Sequence, residues 1–163
     1  MKNPDALPDA RAAALRLLKF RPRSESELKE RLAQKGFGET VVQTVVEDLR
    51  RKGFIGDAQF ARYFAVQQAS SKPLGRRLLM SRLKAKGVQP ELAKAAVETA
   101  MEGRDELTLA REAASRRAAA LQGLPRAAAE RRLFGYLSRR GFSGDVVWKV
   151  VREMTVHSST SSE

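Results

Sequence analysis

Cysteine is missing altogether from this chain of 163 residues, and histidine occurs once, as His157. Disulfides and thiolate nucleophiles are thereby excluded, and no histidine–cysteine set exists to hold a transition metal. A lone histidine in a polar segment also leaves no base placed to activate a serine. Glu25, Glu27 and Glu30 form the most prominent carboxylate group, and helix capping and surface roles account for it without catalysis. GFIG at 53–56 has neither the spacing nor the lysine of a phosphate-binding loop. Long apolar runs are absent too: none nears the roughly 18 residues that a membrane span needs. The first ten residues, MKNPDALPDA, hold no apolar export core, and Asp5 and Asp9 are out of keeping with a transit peptide. These absences lead us to expect a protein that is not an enzyme, needs no metal or cofactor, does not engage a membrane, and works in the reducing cytoplasm.

What the chain does have is a repeat. LKERLAQKGFGETVVQTVVEDL at 28–49, LMSRLKAKGVQPELAKAAVETA at 79–100 and LFGYLSRRGFSGDVVWKVVREM at 133–154 align without a gap. Each carries an apolar pair four residues apart (Leu28/Leu32, Leu79/Leu83, Leu133/Leu137), then a glycine (Gly36, Gly87, Gly141) and an apolar residue (Phe37, Val88, Phe142). Apolar residues return five, nine, ten and thirteen positions after the glycine, as Val41, Val45, Val46 and Leu49 do in the first copy. This pattern predicts helix, glycine stop, helix, because a left-handed glycine ends a helix without steric cost while the next apolar residue folds back on the last turn. Ser24 to Glu27 reads as a capping box, and Pro73, Pro90 and Pro125 suit first helical positions. One more amphipathic stretch precedes each pair, at 10–20, 57–69 and 104–120.

The expected fold is therefore all-α, with three tandem three-helix repeats forming an elongated, curved, right-angle-packed solenoid with several small local cores. At roughly 20 Å per repeat, three would reach some 60 Å. We place the N-terminal tail at 1–9, the repeats at 10–55, 56–102 and 103–154, and a disordered tail at 155–163.

Negative charge is scarce: 19 Asp and Glu stand against 31 Lys and Arg, giving a net charge of +12. Such a balance favours an anionic partner, nucleic acid first. Placement sharpens this. Residues 73–86 hold Arg76, Arg77, Arg82, Lys84 and Lys86 and no acid, and residues 126–140 hold Arg126, Arg131, Arg132, Arg139 and Arg140 against Glu130 alone. The matching helix of the first repeat is neutral. In a helix-turn-helix reader, the second helix enters the major groove between two walls of phosphate. Here 39–49 carries Glu39, Glu47 and Asp48 and no base, so groove reading is disfavoured and phosphate contact from a basic face is favoured. Lys19, Arg21, Arg23, Arg50, Arg51 and Lys52 form a second tier, many near helix ends where carbonyl contacts explain them equally well. Trp148 lies opposite the Val146/Val150 stripe; it either anchors a partner or packs sideways on the neighbouring repeat, the second being favoured.

At this point the chain resembles the RecX family, regulators of the bacterial RecA recombinase. The resemblance rests on ALRLLKFRPRSESELKERLAQKGF at 14–37, GFIGDAQFARYFAVQQASSKPLGRRLLMSRLKAKGV at 53–88 and RRLFGYLSRRGFS at 131–143. Within them an acidic residue followed by Phe-Ala appears as Asp57, Phe60 and Ala61, and the lead into the next helix as Lys72, Pro73 and Gly75. The resemblance implies tandem three-helix repeats that bind the RecA nucleoprotein filament, lodge in its groove, and suppress ATP hydrolysis, strand exchange and the coprotease activity behind the SOS response. It also implies binding to single- and double-stranded DNA, and a monomer is expected. The candidate DNA- or RecA-binding residues are Lys72, Arg76, Arg77, Arg82, Lys84, Lys86, Arg131, Arg132, Arg139 and Arg140. A general, sequence-independent DNA-binding protein and a plain helical adaptor remain the alternatives.

Overall fold

A computed structural model describes residues 5–157, and those residues form nine α-helices and no strand. They are α1 (Leu7–Phe20), α2 (Glu25–Gln34), α3 (Glu39–Arg51), α4 (Asp57–Ser71), α5 (Arg76–Ala85), α6 (Pro90–Ala100), α7 (Glu106–Arg117), α8 (Arg126–Arg139) and α9 (Gly144–His157), with a 3-10 turn at Ala118–Leu121 after α7. The protein is thus all-α and built of three three-helix repeats, as its glycine stops predict.

Each stop closes as expected. Gly36 N–H donates to Ala33 O and Phe37 N–H to Leu32 O; the same pair of bonds recurs from Gly87 and Val88 to Lys84 and Leu83, and from Gly141 and Phe142 to Ser138 and Leu137. All three glycines have positive φ, between 78° and 89°. The Ser24 cap also forms, its Oγ accepting from Glu27 N–H at 3.1 Å. The proline expectations fare unevenly. Pro90 is the first residue of α6, Pro125 stands one residue before α8, and Pro73 lies buried in the connection ahead of α5.

Helix extends into both segments expected as tails. Leu7 to Asp9 already belong to α1, where Pro8 supplies a preset φ in the first turn. At the other end Thr155 to His157 continue α9, and Thr155 is buried with its hydroxyl donating to the Val151 carbonyl. Residues 1–4 and 158–163 lie outside the described part.

The described residues fall into two compact units, one of 5–65 together with 82–96, the other of 66–81 together with 97–157. The first holds a core of Ala10, Ala13 and Ala14 against Leu28, Leu32, Phe37, Val42, Val45, Val46 and Leu49. In the second, Ala110, Ala113 and Ala114 pack on Leu133, Leu137, Phe142, Val147, Val150 and Val151. In both, the first helix of the repeat meets its partners through alanine, whose small side chain lets helix axes approach closely. The fully buried position early in each third helix is the sixth after the glycine (Val42, Ala93, Val147), while the fifth (Val41, Leu92, Val146) is half-buried.

Within each unit, one repeat seats the start of its second helix on the glycine turn of the next. In the first unit, Ser24 Oγ donates to Lys86 O at 2.6 Å, and a Cβ on Gly87 would stand 2.6 Å from Ser26 Cβ. In the second, Gly75 N–H donates to Arg140 O at 2.8 Å and Arg77 N–H to Gly141 O at 3.3 Å. Ser24 and Gly75 lie 51 residues apart, the repeat spacing, so one joint is made twice. Its chemistry is economical: the unpaired carbonyls ending one helix meet the unpaired N–H groups, or the cap hydroxyl, starting another.

Candidate nucleic-acid interface

The second joint concentrates the cations. Because the start of α5 rests on the end of α8, Arg76 and Arg77 come beside Arg139 and Arg140, with Lys72 one residue before buried Pro73. Arg140 is committed: its Nε and Nη2 donate to Pro73 O at 3.1 and 2.6 Å, which fixes the connection leading into α5. Lys72, Arg76, Arg77 and Arg139 are exposed, and their side chains make no ion pair or hydrogen bond among the described residues. The first turn of α5 contains no acid, although a helix start favours negative side chains. Two adjacent arginines there run against local preference, and local conflicts of this kind concentrate at functional surfaces.

The remaining candidates are placed separately. Arg131 and Arg132 are exposed on α8, and seven residues from Arg132 to Arg139 correspond to about 10 Å of helix. Lys84 is exposed and Arg82 half-buried, both in the first unit. Lys86 is drawn to Glu27, with its Nζ 3.9 Å from the carboxylate. Trp148 packs not on a neighbouring repeat but on Phe134 of its own, with ring centroids 4.7 Å apart; half of its surface stays exposed, and it shares a shallow recess with Arg131 and Glu130. The glycines Gly36, Gly87 and Gly141 are structural.

Sequence reasoning missed two features of the basic surface. Arg104 and Arg116 line a recess with Lys72, in which the one acid, Glu112, is already bound to Arg116 at 2.7 Å. In the first unit, carboxylates sit beneath a layer of bases. Glu27, 9% exposed, is held by Arg21 and Arg23, and Asp48, equally buried, by Arg11, Arg51 and Lys52. Burial pushes the Glu27 carboxyl up, but the hydrogen bond from Arg21 and the charges of Arg21, Lys86 and Arg23 outweigh it and hold the group below its ordinary value of 4.5. Glu27 therefore does not complete the capping box by reaching back to Ser24; it anchors arginines instead.

A depressed carboxylate stabilises the fold at pH values above its unfolded pKa, and that contribution fades as pH falls through the folded one. Wild-type protein is thus expected to lose stability below about pH 4.5 in a step that Glu27→Gln lacks. Near neutrality the variant should be about 1–3 kcal/mol less stable, below the loss for a fully buried pair because Arg21 remains 41% exposed. Urea melts of both proteins across pH 3–7 would check the crossing.

Among the described residues no cluster of three metal-ligating side chains occurs, and no helix is long and apolar enough to cross a membrane. Fold and surface together define a triple three-helix-repeat protein with bases gathered at the α5–α8 joint. Family models for the first, second and third three-helix domains of RecX match residues 10–49, 57–97 and 104–151. The regulatory protein RecX of Thermobifida fusca is 35% identical over 144 residues, covering 88% of this chain and 77% of the relative. That of Pelodictyon phaeoclathratiforme is 30% identical over 156 residues, covering 96% and 95%. The crystal structure of RecX from Lactobacillus salivarius superposes with a TM-score of 0.74 at 17% identity, covering 92% of this chain and 97% of that one, a likeness of fold. A second RecX crystal structure gives 0.80 at 20% identity, covering 90% and 73%. The chain belongs to the RecX family, whose members are named as regulatory proteins.

Proposed function

We propose that this protein is a negative regulator of the RecA recombinase, acting in the cytoplasm without catalysis of its own. It binds the RecA nucleoprotein filament in its groove and lowers ATP hydrolysis, strand exchange and coprotease activity. The cations around the α5–α8 joint meet DNA phosphates or acidic RecA surface. One observation carries the assignment of the face: Lys72, Arg76, Arg77, Arg139 and Arg140 gather at one helix joint with no acid in either helix end. The acidic stretch of α3 supports phosphate contact over base reading, since Glu39 and Glu47 are exposed there.

The test is RecA's ATP hydrolysis on single-stranded DNA as this protein is titrated in. A saturable fall in rate is expected. DNA binding with no change in hydrolysis would leave a general DNA-binding protein, and neither effect would leave a helical adaptor.

A further inference from the structure

We infer that one end of the first repeat is a stacking platform for the bases of single-stranded nucleic acid, formed by Phe20 and Phe54 within a frame of cations. Phe20, the last residue of α1, is 83% exposed and Phe54, which follows α3, is 59% exposed. Large exposed aromatic rings are the kind of surface that contributes most to recognition.

Phe20 and Phe54 flank the place where the start of α2 meets the end of α3. The α1 terminus leads through Arg21 to Ser24 into the start of α2, where Glu25 N–H donates to Asp57 Oδ1 at 2.9 Å, three residues beyond Phe54. Arg50, near the end of α3, also reaches Glu25, at 3.3 Å. The second repeat supports the placement. Arg104 follows the positive-φ Gly103 as Phe54 follows Gly53, and its guanidinium donates to Ala69 O, two residues from the end of α4. In that repeat the arginine after the turn spans to the end of the first helix. There the pair is Ser71 and Arg104; only the first repeat sets aromatic rings in both places.

Charge chooses the occupant. Around the rings Lys19 is exposed, and the side chains of Arg21, Arg50, Arg51 and Lys52 are 41%, 56%, 79% and 49% exposed. Their carboxylate partners are sunk beneath them, Glu25 at 17% and Glu27 and Asp48 at 9%. The acids hold the cations in place without presenting negative charge to solvent. Exposed rings set among fixed cations match a strand whose bases are free to stack and whose phosphates run alongside. A duplex, with its bases already stacked inward, offers the rings nothing. The inference rests on the reading that nucleic acid is a partner of this protein, and adds which form it takes and where.

Fluorescence anisotropy with labelled oligo(dT) and with a duplex of equal length, over a range of salt, tests it. Phe20→Ala with Phe54→Ala is expected to weaken oligo(dT) binding about 30- to 100-fold, roughly 5- to 10-fold per ring. The salt slope should not change, because no charge is removed, and duplex affinity should stay as it was. Phe20→Trp with Phe54→Trp should restore binding. Both rings are exposed, so circular dichroism should report an intact helical fold. Unchanged oligo(dT) affinity would overturn the inference, as would equal losses on both DNAs. So would DNA binding left intact while association with RecA filaments disappears, which would give the rings to a protein partner. If oligo(dT) binding depends on the rings but RecA hydrolysis is unaffected by wild-type protein, the platform stands and the regulatory reading falls.

Discussion

Replacing Gly141 by alanine is expected to destabilise the protein by about 3–4 kcal/mol, lowering the thermal midpoint by roughly 8–14 °C. The same change at Gly36 should cost only about 1 kcal/mol. The three turn glycines look interchangeable in sequence and share positive φ, so the conformational strain of an alanine is common to all. The difference lies in the surroundings. A Cβ on Gly141 would fall 2.3 Å from Leu78 N and 2.4 Å from its Cβ, where main chain and stem have no room to yield. On Gly87 it would meet Ser26 Cβ at 2.6 Å, on the exposed start of α2, whereas around Gly36 nothing lies within 4 Å. The order Gly36, Gly87, Gly141 in rising cost therefore reports the joint between repeats, apart from the turn itself. Equal melting shifts for the three alanines would mean that the joint does not form.

The second large effect concerns the basic face. Reversing Arg76, Arg77 and Arg139 to glutamate should weaken binding to DNA about 100- to 500-fold at 0.1 M salt if each meets one phosphate, since a contact contributes roughly 0.7–0.9 decade there. The slope of log K against log salt should also become shallower by about 2–3. All three side chains are exposed and unpaired among the described residues, so the helices should survive the change. Arg140→Glu is a poor probe by comparison, because its guanidinium holds the Pro73 carbonyl and its loss would disturb the joint. A salt titration by anisotropy separates the two cases: loss of contacts changes the slope, while a distorted joint also lowers the melting temperature.

Much of this architecture was legible in the order of residues. The glycine stops, the Leu28/Leu32-type pairs and the Ser24 cap are local, so a three-residue pattern or a helical period is enough to find them. The joint was not legible, because nothing in the pattern around Gly75 or Ser24 says which turn each will rest on. That contact spans 62 residues from Ser24 to Lys86 and depends on how one repeat meets the next. For the same reason Lys86 and Arg140 read as free cations in the sequence, yet one leans toward Glu27 and the other holds Pro73. The alanine faces of α1 and α7 also escaped notice, since alanine carries little hydrophobic signal and its role in packing comes from being small. Phe20 was hidden in a different way: an apolar residue at the end of an amphipathic helix reads as core, and only the fold leaves it in solvent.

The measurement that bears most directly on this account is the rate of ATP hydrolysis by RecA on single-stranded DNA, with wild-type protein and with the Arg76→Glu, Arg77→Glu, Arg139→Glu variant at equal helicity. Wild type should lower the rate in a saturable manner, and the variant should have lost most of this effect. A rate unmoved by wild type would contradict the proposed function, and equal inhibition by both proteins would contradict the placement of the interface at the α5–α8 joint.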